Sequence, residues 1–168
     1  MPGPERYLAL PAALLLAGPS EAERPLGLPQ IDHIVVDKSE RAMRLYREGG
    51  LVHVITGIQL GDAPVGHKQF EGDEKTPEGR YWIDYGNPRS AYRLSLHISY
   101  PNAADRAFAE ARGRSPGGMI FIHGQPNGWP TDAPLAGDWT DGCIAVSDRE
   151  IEALWEAVSD GTPIDILP

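Results

Sequence analysis

The stretches that decide the fold are IFIHG, residues 120–124, and WTDGCIAV, residues 139–146. Each joins an apolar run of β type to a chemically active side chain, since His123 ends the first run and Cys143, the one cysteine of the sequence, precedes the second. The residues between them are rich in Pro, Gly and Trp and therefore predict a loop. We expect two neighbouring strands to place the imidazole beside the thiol.

A histidine and a cysteine held together can carry nucleophilic catalysis. A thiol is a weak nucleophile at neutral pH until an imidazole takes its proton or stabilises the thiolate. Gly142, directly before Cys143, lets the backbone approach a substrate closely, and the amides around the cysteine can then hold an oxyanion. The spacing alone leaves a plainer alternative open, in which Cys143 is a small buried side chain and His123 is structural.

The rest of the sequence predicts a mainly β fold with minor α. Alternating apolar patterns indicate strands at 34–36, 41–46, 51–55, 80–84, 93–99, 118–123 and 164–167. Residues 102–112 predict a short helix, and Ser147 with Glu150 forms a capping box that begins another. We therefore expect an antiparallel β sandwich with one or two helices.

Composition excludes several classes of function. The 168 residues carry 15 Lys and Arg against 24 Asp and Glu, a formal charge of −9 with no basic run. Nucleic acids are therefore not expected as partners, because neutralising phosphates needs clustered cations. A single cysteine allows no internal disulfide and no thiolate zinc cluster, and the histidines lack ligand-like spacing, so no metal and no cofactor are expected.

The first thirty residues predict a signal peptide and a linker. Arg6 precedes an apolar run at 8–17, and Ser20-Glu21-Ala22 offers small residues for cleavage. Export to the periplasm or cell envelope follows from this interpretation, with residues 31–168 as the domain that carries His123 and Cys143. The alternative is a short helix that is retained and docks on the domain of a cytosolic protein.

His123-Gly124, a loop and Thr140-Asp141-Gly142-Cys143 resemble the signature of the L,D-transpeptidase (YkuD-type) catalytic domain family. Further stretches similar to that family occur in order at 36–46, 75–81 and 96–102, and the resemblance covers about residues 31–167. The resemblance implies a YkuD-type β sandwich and an enzyme of cell wall biogenesis.

The family's mechanism implies roles for the signature residues. Cys143 would attack an amide carbonyl of a peptidoglycan stem peptide, with His123 as general base and then general acid. The backbone carbonyl of Gly124 would orient the imidazole. Gly142 and Asp141 complete the predicted catalytic group. The acyl group would pass to an amine, which is transpeptidation, or to water.

Substrate contacts are predicted for five further positions, which are Thr76, Pro77, Gly79, His97 and Trp139. Two positions depart from the family pattern: Asp141 stands where a histidine is common, and Ala145 where Arg or Asn is common. Both departures resemble the branch that contains an amidase detaching lipoprotein from peptidoglycan. Hydrolysis, with a peptidoglycan-linked protein as a partner, is therefore one alternative. A non-catalytic cell-wall binding module is another.

Overall fold

The computed structural model describes residues 26–131 and 133–168. The signal peptide and linker are predicted at 1–30, and residues 1–25 of this segment lie outside the described residues. Along the described part of the chain the elements are β1 His33–Asp37, β2 Ala42–Arg47, β3 Gly50–Thr56, β4 Gly79–Asn87, β5 Ser95–Ile98, α1 Ala103–Glu110, β6 Ile120–His123, β7 Ile144–Ala145, α2 Asp148–Ala157 and β8 Pro163–Leu167.

The strands form one curled sheet in the order β3-β2-β1-β8-β4-β5-β6-β7. Neighbours are antiparallel except β1 with β8 and β6 with β7, which are parallel. Beyond β3, Gln59 pairs with Ala145 of β7, so the chain that leaves one end of the sheet meets the other end. The predicted mainly β fold with one or two helices is confirmed.

Helix α2 begins at the capping box that the sequence predicts, and α1 begins one residue after its predicted start. At α2 the Ser147 hydroxyl accepts the N–H of Glu150 at 3.3 Å, and the Glu150 carboxylate accepts the N–H of Ser147 at 2.8 Å. This confirms the capping box. At α1, Asn102 is the cap and the helix ends at Glu110, two residues before the predicted end.

The core determines which face carries the polar residues of β6 and β7. Ile122 and Ile144 are fully buried in the hydrophobic core. Successive side chains of a strand point to opposite faces, so His123 and Cys143 must point away from that core on the other face of the sheet. Among the described residues, no helix has the length and apolar character needed to cross a membrane.

Candidate active site

The parallel pairing of β6 with β7 brings the histidine and the cysteine together. Ile122 lies opposite Ile144, and His123 opposite Ala145. Cys143 therefore falls beside Phe121, and the Phe121 N–H lies 3.4 Å from the Cys143 sulfur. His123 is two residues further along the same face, which is the arrangement that the sequence predicts.

The backbone fixes the orientation of the His123 ring. Nδ1 lies 2.7 Å from the carbonyl oxygen of Gly124. A carbonyl only accepts hydrogen bonds, so Nδ1 carries the proton and Nε2 is left as the acceptor nitrogen. A side chain at Gly124 would meet Asp148 Oδ1 at 2.5 Å, so this close approach to α2 holds the carbonyl in place. This contact is the geometry that Gly124 would need in order to orient the His123 ring as predicted.

Two aromatic rings enclose the imidazole. The Tyr92 ring centroid lies 4.5 Å from that of His123, and the Trp139 centroid lies 5.7 Å away in an edge-on arrangement. His123 is 3% exposed. The rings leave the imidazole little freedom to rotate, and they exclude water from it.

Burial keeps both reactive groups neutral at pH 7. Desolvation lowers the pKa of His123, against the opposing hydrogen bond to Gly124. Desolvation also raises the pKa of the Cys143 thiol to about 11, with the Phe121 N–H opposing and the Asp141 carboxylate adding to the rise. A charged form is disfavoured wherever water is removed, so the resting pair is a thiol and a neutral imidazole rather than an ion pair.

The turn before the cysteine is held by a glycine and a threonine. Gly142 has φ +125°, and a side chain there would meet the Lys75 carbonyl oxygen at 2.5 Å. The Thr140 hydroxyl donates to the Cys143 carbonyl at 2.7 Å and accepts the Gly142 N–H at 3.2 Å. These contacts fix the backbone from which the thiol projects.

A cleft of about 520 Å³ opens beside the thiol. Its lining includes four of the predicted site residues, Cys143, His123, Asp141 and Trp139. The other lining residues are Asn87, Ser90, Ala91, Tyr92, Ser95, Gly118, Met119, Ile120, Phe121 and Thr140. A cleft of this size and composition can take a short stretch of peptide beside the sulfur.

The four other residues predicted to contact substrate lie outside this lining, and they are Thr76, Pro77, Gly79 and His97. Thr76 is fully buried, and its hydroxyl accepts the Gly61 N–H at 3.1 Å behind the cysteine turn. Gly79 is the first residue of β4. The Asp84 carboxylate accepts a hydrogen bond from His97 Nδ1 at 2.6 Å, and the His97 ring stacks on that of Tyr85. Substrate contact by these residues stays a prediction.

Tyr92, Met119 and Phe121 line the cleft but were not predicted from the sequence. Tyr92 lies in the segment between β4 and β5, and the Tyr92 carbonyl accepts the Gly124 N–H at 3.0 Å. The Met119 carbonyl lies 3.6 Å from the Cys143 sulfur. The sequence pattern assigns Phe121 only to an apolar strand, although its position two residues before His123 places it on the same face.

Two buried glutamines hold the loop between His123 and Cys143. Gln59 Oε1 accepts from Trp139 Nε1 at 3.0 Å and from Gln125 Nε2 at 3.1 Å. The Gln59 amide donates to the carbonyl of Gly137 at 3.0 Å and to that of Leu135. Gln59 thereby connects the loop to the ring that covers His123.

Comparisons with known proteins agree on one family. The family model of the L,D-transpeptidase catalytic domain, YkuD, matches residues 31–166. The chain is 28% identical over 132 residues to YafK of Escherichia coli strain K12, a protein named only provisionally as an L,D-transpeptidase, with 76% of this chain and 47% of YafK covered. The chain thus spans about half the length of the curated relatives it matches.

Solved structures share the fold. The helical cell shape determining protein Pgp2 of Campylobacter jejuni superposes with a TM-score of 0.63 and 28% identity, over 88% of this chain and 52% of Pgp2. The L,D-transpeptidase of Mycobacterium smegmatis superposes with a TM-score of 0.53 and 14% identity, over 80% of this chain and 58% of that one, which shows a common fold. Within the described residues, no group of three or more His, Cys, Asp or Glu is placed to hold a metal ion.

Proposed function

The chain belongs to the L,D-transpeptidase (YkuD) catalytic domain family, and from that premise we propose that it catalyses acyl transfer on peptidoglycan stem peptides, with Cys143 as nucleophile and His123 as base and acid. One observation carries the proposal. The Gly124 carbonyl engages Nδ1 of His123 at 2.7 Å, which leaves Nε2 as the nitrogen able to take the thiol proton in the cleft that both residues line.

The proposed reaction has two half-reactions. His123 Nε2 takes the proton of Cys143 as the sulfur forms a bond to the carbonyl carbon of an L-residue in the stem peptide. The tetrahedral oxyanion collapses, the C–N bond breaks, and the imidazolium gives its proton to the departing amine. An incoming amine then forms a bond to the acyl carbon as the thioester C–S bond breaks, and His123 takes the proton of the amine and returns it to the Cys143 sulfur.

Water in place of the amine would make the enzyme an amidase or carboxypeptidase, and this is the second candidate. The observation in its favour is Asp141, whose exposed carboxylate lines the cleft at the position where the family commonly has a histidine. Both reactions use the same acyl-enzyme, so they differ only in what accepts the acyl group. Action on peptidoglycan places the protein in the cell envelope in either case.

Mass spectrometry of muropeptides tests the proposal. Purified sacculi of the native host would be incubated with the protein and, in parallel, with Cys143→Ala. New cross-links or exchanged amines that require Cys143 are the expected result. Shortened stems or released protein remnants without new links would establish the hydrolase instead. Identical muropeptides with both proteins would contradict acyl transfer and favour a non-catalytic cell-wall binding module.

A further inference from the structure

The cleft beside Cys143 carries one formal charge at pH 7, and it is negative. Of the residues that line the cleft, Asp141 alone has a side chain that is charged at this pH, since burial keeps His123 neutral. We propose that Asp141, together with the aromatic rings of the cleft, is a binding site for an ammonium group of the substrate. The proposal rests on the proposed function for the identity of that substrate.

The Asp141 carboxylate is available to a ligand. Its side chain is exposed at the cleft, and in the part of the chain that the structure describes no cation is paired with it. Lys68 is the cation whose charge reaches the Cys143 sulfur, but its Nζ is buried and donates to Asp73 at 2.9 Å and to the Phe70 carbonyl at 3.1 Å. Among residues 26–131 and 133–168, the charge of Asp141 therefore has no partner cation.

Aromatic faces add to the attraction for a cation. Tyr92, Phe121 and Trp139 line the same cleft, and the Tyr92 and Trp139 ring centroids are 5.8 Å apart. The negative face of an aromatic ring attracts ammonium groups, and removal of water strengthens that attraction. A carboxylate with aromatic neighbours is chemistry that recognises an ammonium.

The same lining disfavours a substrate carboxylate. No Lys or Arg is among the residues described as lining the cleft, so nothing there pairs with a carboxylate, which Asp141 would repel. The site therefore favours an ammonium group of the stem peptide over a carboxylate group. Asp141 is a specificity-determining residue in this account, and it acts mainly on binding.

Charged thiol reagents measure this preference at Cys143 without any turnover. Three methanethiosulfonates of similar size would be compared, one with a trimethylammonium group, one with a sulfonate and one neutral. The neutral reagent corrects for changes in the thiol pKa. We expect the ratio of cationic to anionic rates to be about tenfold lower in Asp141→Asn than in the wild type, as loss of one charge within several ångströms predicts.

Asp160→Asn is the matched control, because Asp160 is exposed, lies outside the cleft lining and contributes the same charge. An equal fall in both variants would show a general effect of net charge and overturn the site, as would an unchanged ratio in Asp141→Asn. Resistance of Cys143 to all three reagents would contradict the proposed nucleophile instead. In that case, n-butylammonium would be titrated into ¹⁵N-labelled wild type and Asp141→Asn. The amide resonances of Gly142 and Cys143 should shift in the wild type and not in the variant.

Discussion

At the scale of single residues, the site depends on close backbone approach. Gly142 lies against the Lys75 carbonyl with φ +125°, and Gly124 lies against Asp148. Neither glycine has room for a side chain, so the Cys143 and His123 backbones are both held by packing from behind. In the proposed reaction, the thiol and the imidazole would thereby be positioned before the substrate binds, which reduces the reorganisation needed as the bond forms.

Gly142→Ala should therefore lower the free energy of unfolding more than the same substitution at a glycine that has a positive φ but open space around it. The new methyl group would meet the Lys75 oxygen at 2.5 Å, whereas Gly128, with φ +83°, has no atom within 4 Å of such a group. We expect Gly128→Ala to lower the free energy of unfolding by about 1 kcal/mol from backbone strain alone, and Gly142→Ala by about 3 kcal/mol or more. Urea unfolding measures both. Equal losses would contradict the role of the Lys75 contact.

The common position of His123 and Cys143 could be predicted from the sequence, but their surroundings could not. His123 and Cys143 end and precede apolar runs, so their common face follows from strand periodicity. Tyr92 contacts His123 from a segment without any alternating pattern, and only the tertiary fold brings the two together. The ionisation of the pair also depends on burial, which residue spacing does not reveal.

At the scale of elements, the loop between β6 and β7 is held by hydrogen bonds to the side chains of Gln59 and Gln125. Gln59 and Gln125 satisfy the polar groups of residues 135–139, which otherwise lie outside any helix or strand. The sequence predicts this loop from its Pro and Gly content, but it gives no sign that Gln125 within the loop and the distant Gln59 order it. Trp139 is positioned over His123 by the same hydrogen bonds.

Gln59→Met keeps the side-chain size but removes the four hydrogen bonds of the Gln59 side chain, which join it to Leu135, Gly137, Gln125 and Trp139. We expect the free energy of unfolding to fall by about 2 kcal/mol, because the Trp139 N–H and loop carbonyls lose a buried partner. Amide hydrogen exchange across 125–138 should become faster, and Cys143 alkylation slower. Gln69→Met, at an exposed position on another loop, is the control and should change none of these. Unaltered exchange in Gln59→Met would show that the loop is ordered by other contacts.

At the scale of the whole molecule, the last strand joins two halves of the sheet. β8 lies between β1 and β4, parallel to the first and antiparallel to the second. A terminal strand was predicted at 164–167, and the structure has it at Pro163–Leu167. Its central place was not predictable, because strand order depends on contacts between residues far apart in the chain.

Ile164→Ala should destabilise the whole fold rather than one edge. Ile164 is fully buried between the two halves, so its truncation leaves a cavity that we expect to lower the free energy of unfolding by about 3 kcal/mol. Leu167, in the same strand, is 45% exposed, and Leu167→Ala should cost less than about 1 kcal/mol. Urea denaturation would measure the free energy of unfolding of both variants. Similar values for the two variants would contradict the central position of β8.

Detection of an acyl-enzyme would show directly whether Cys143 is the nucleophile and His123 its base. A soluble stem peptide would be mixed with the protein, quenched in acid and the intact mass measured at several pH values. The account predicts an adduct on Cys143, absent from Cys143→Ala and much slower to form in His123→Ala. Its rate should fall on acidification with a midpoint below 6.5, since burial lowers the pKa of the base that must be neutral. No adduct, or an adduct formed equally fast without His123, would contradict it.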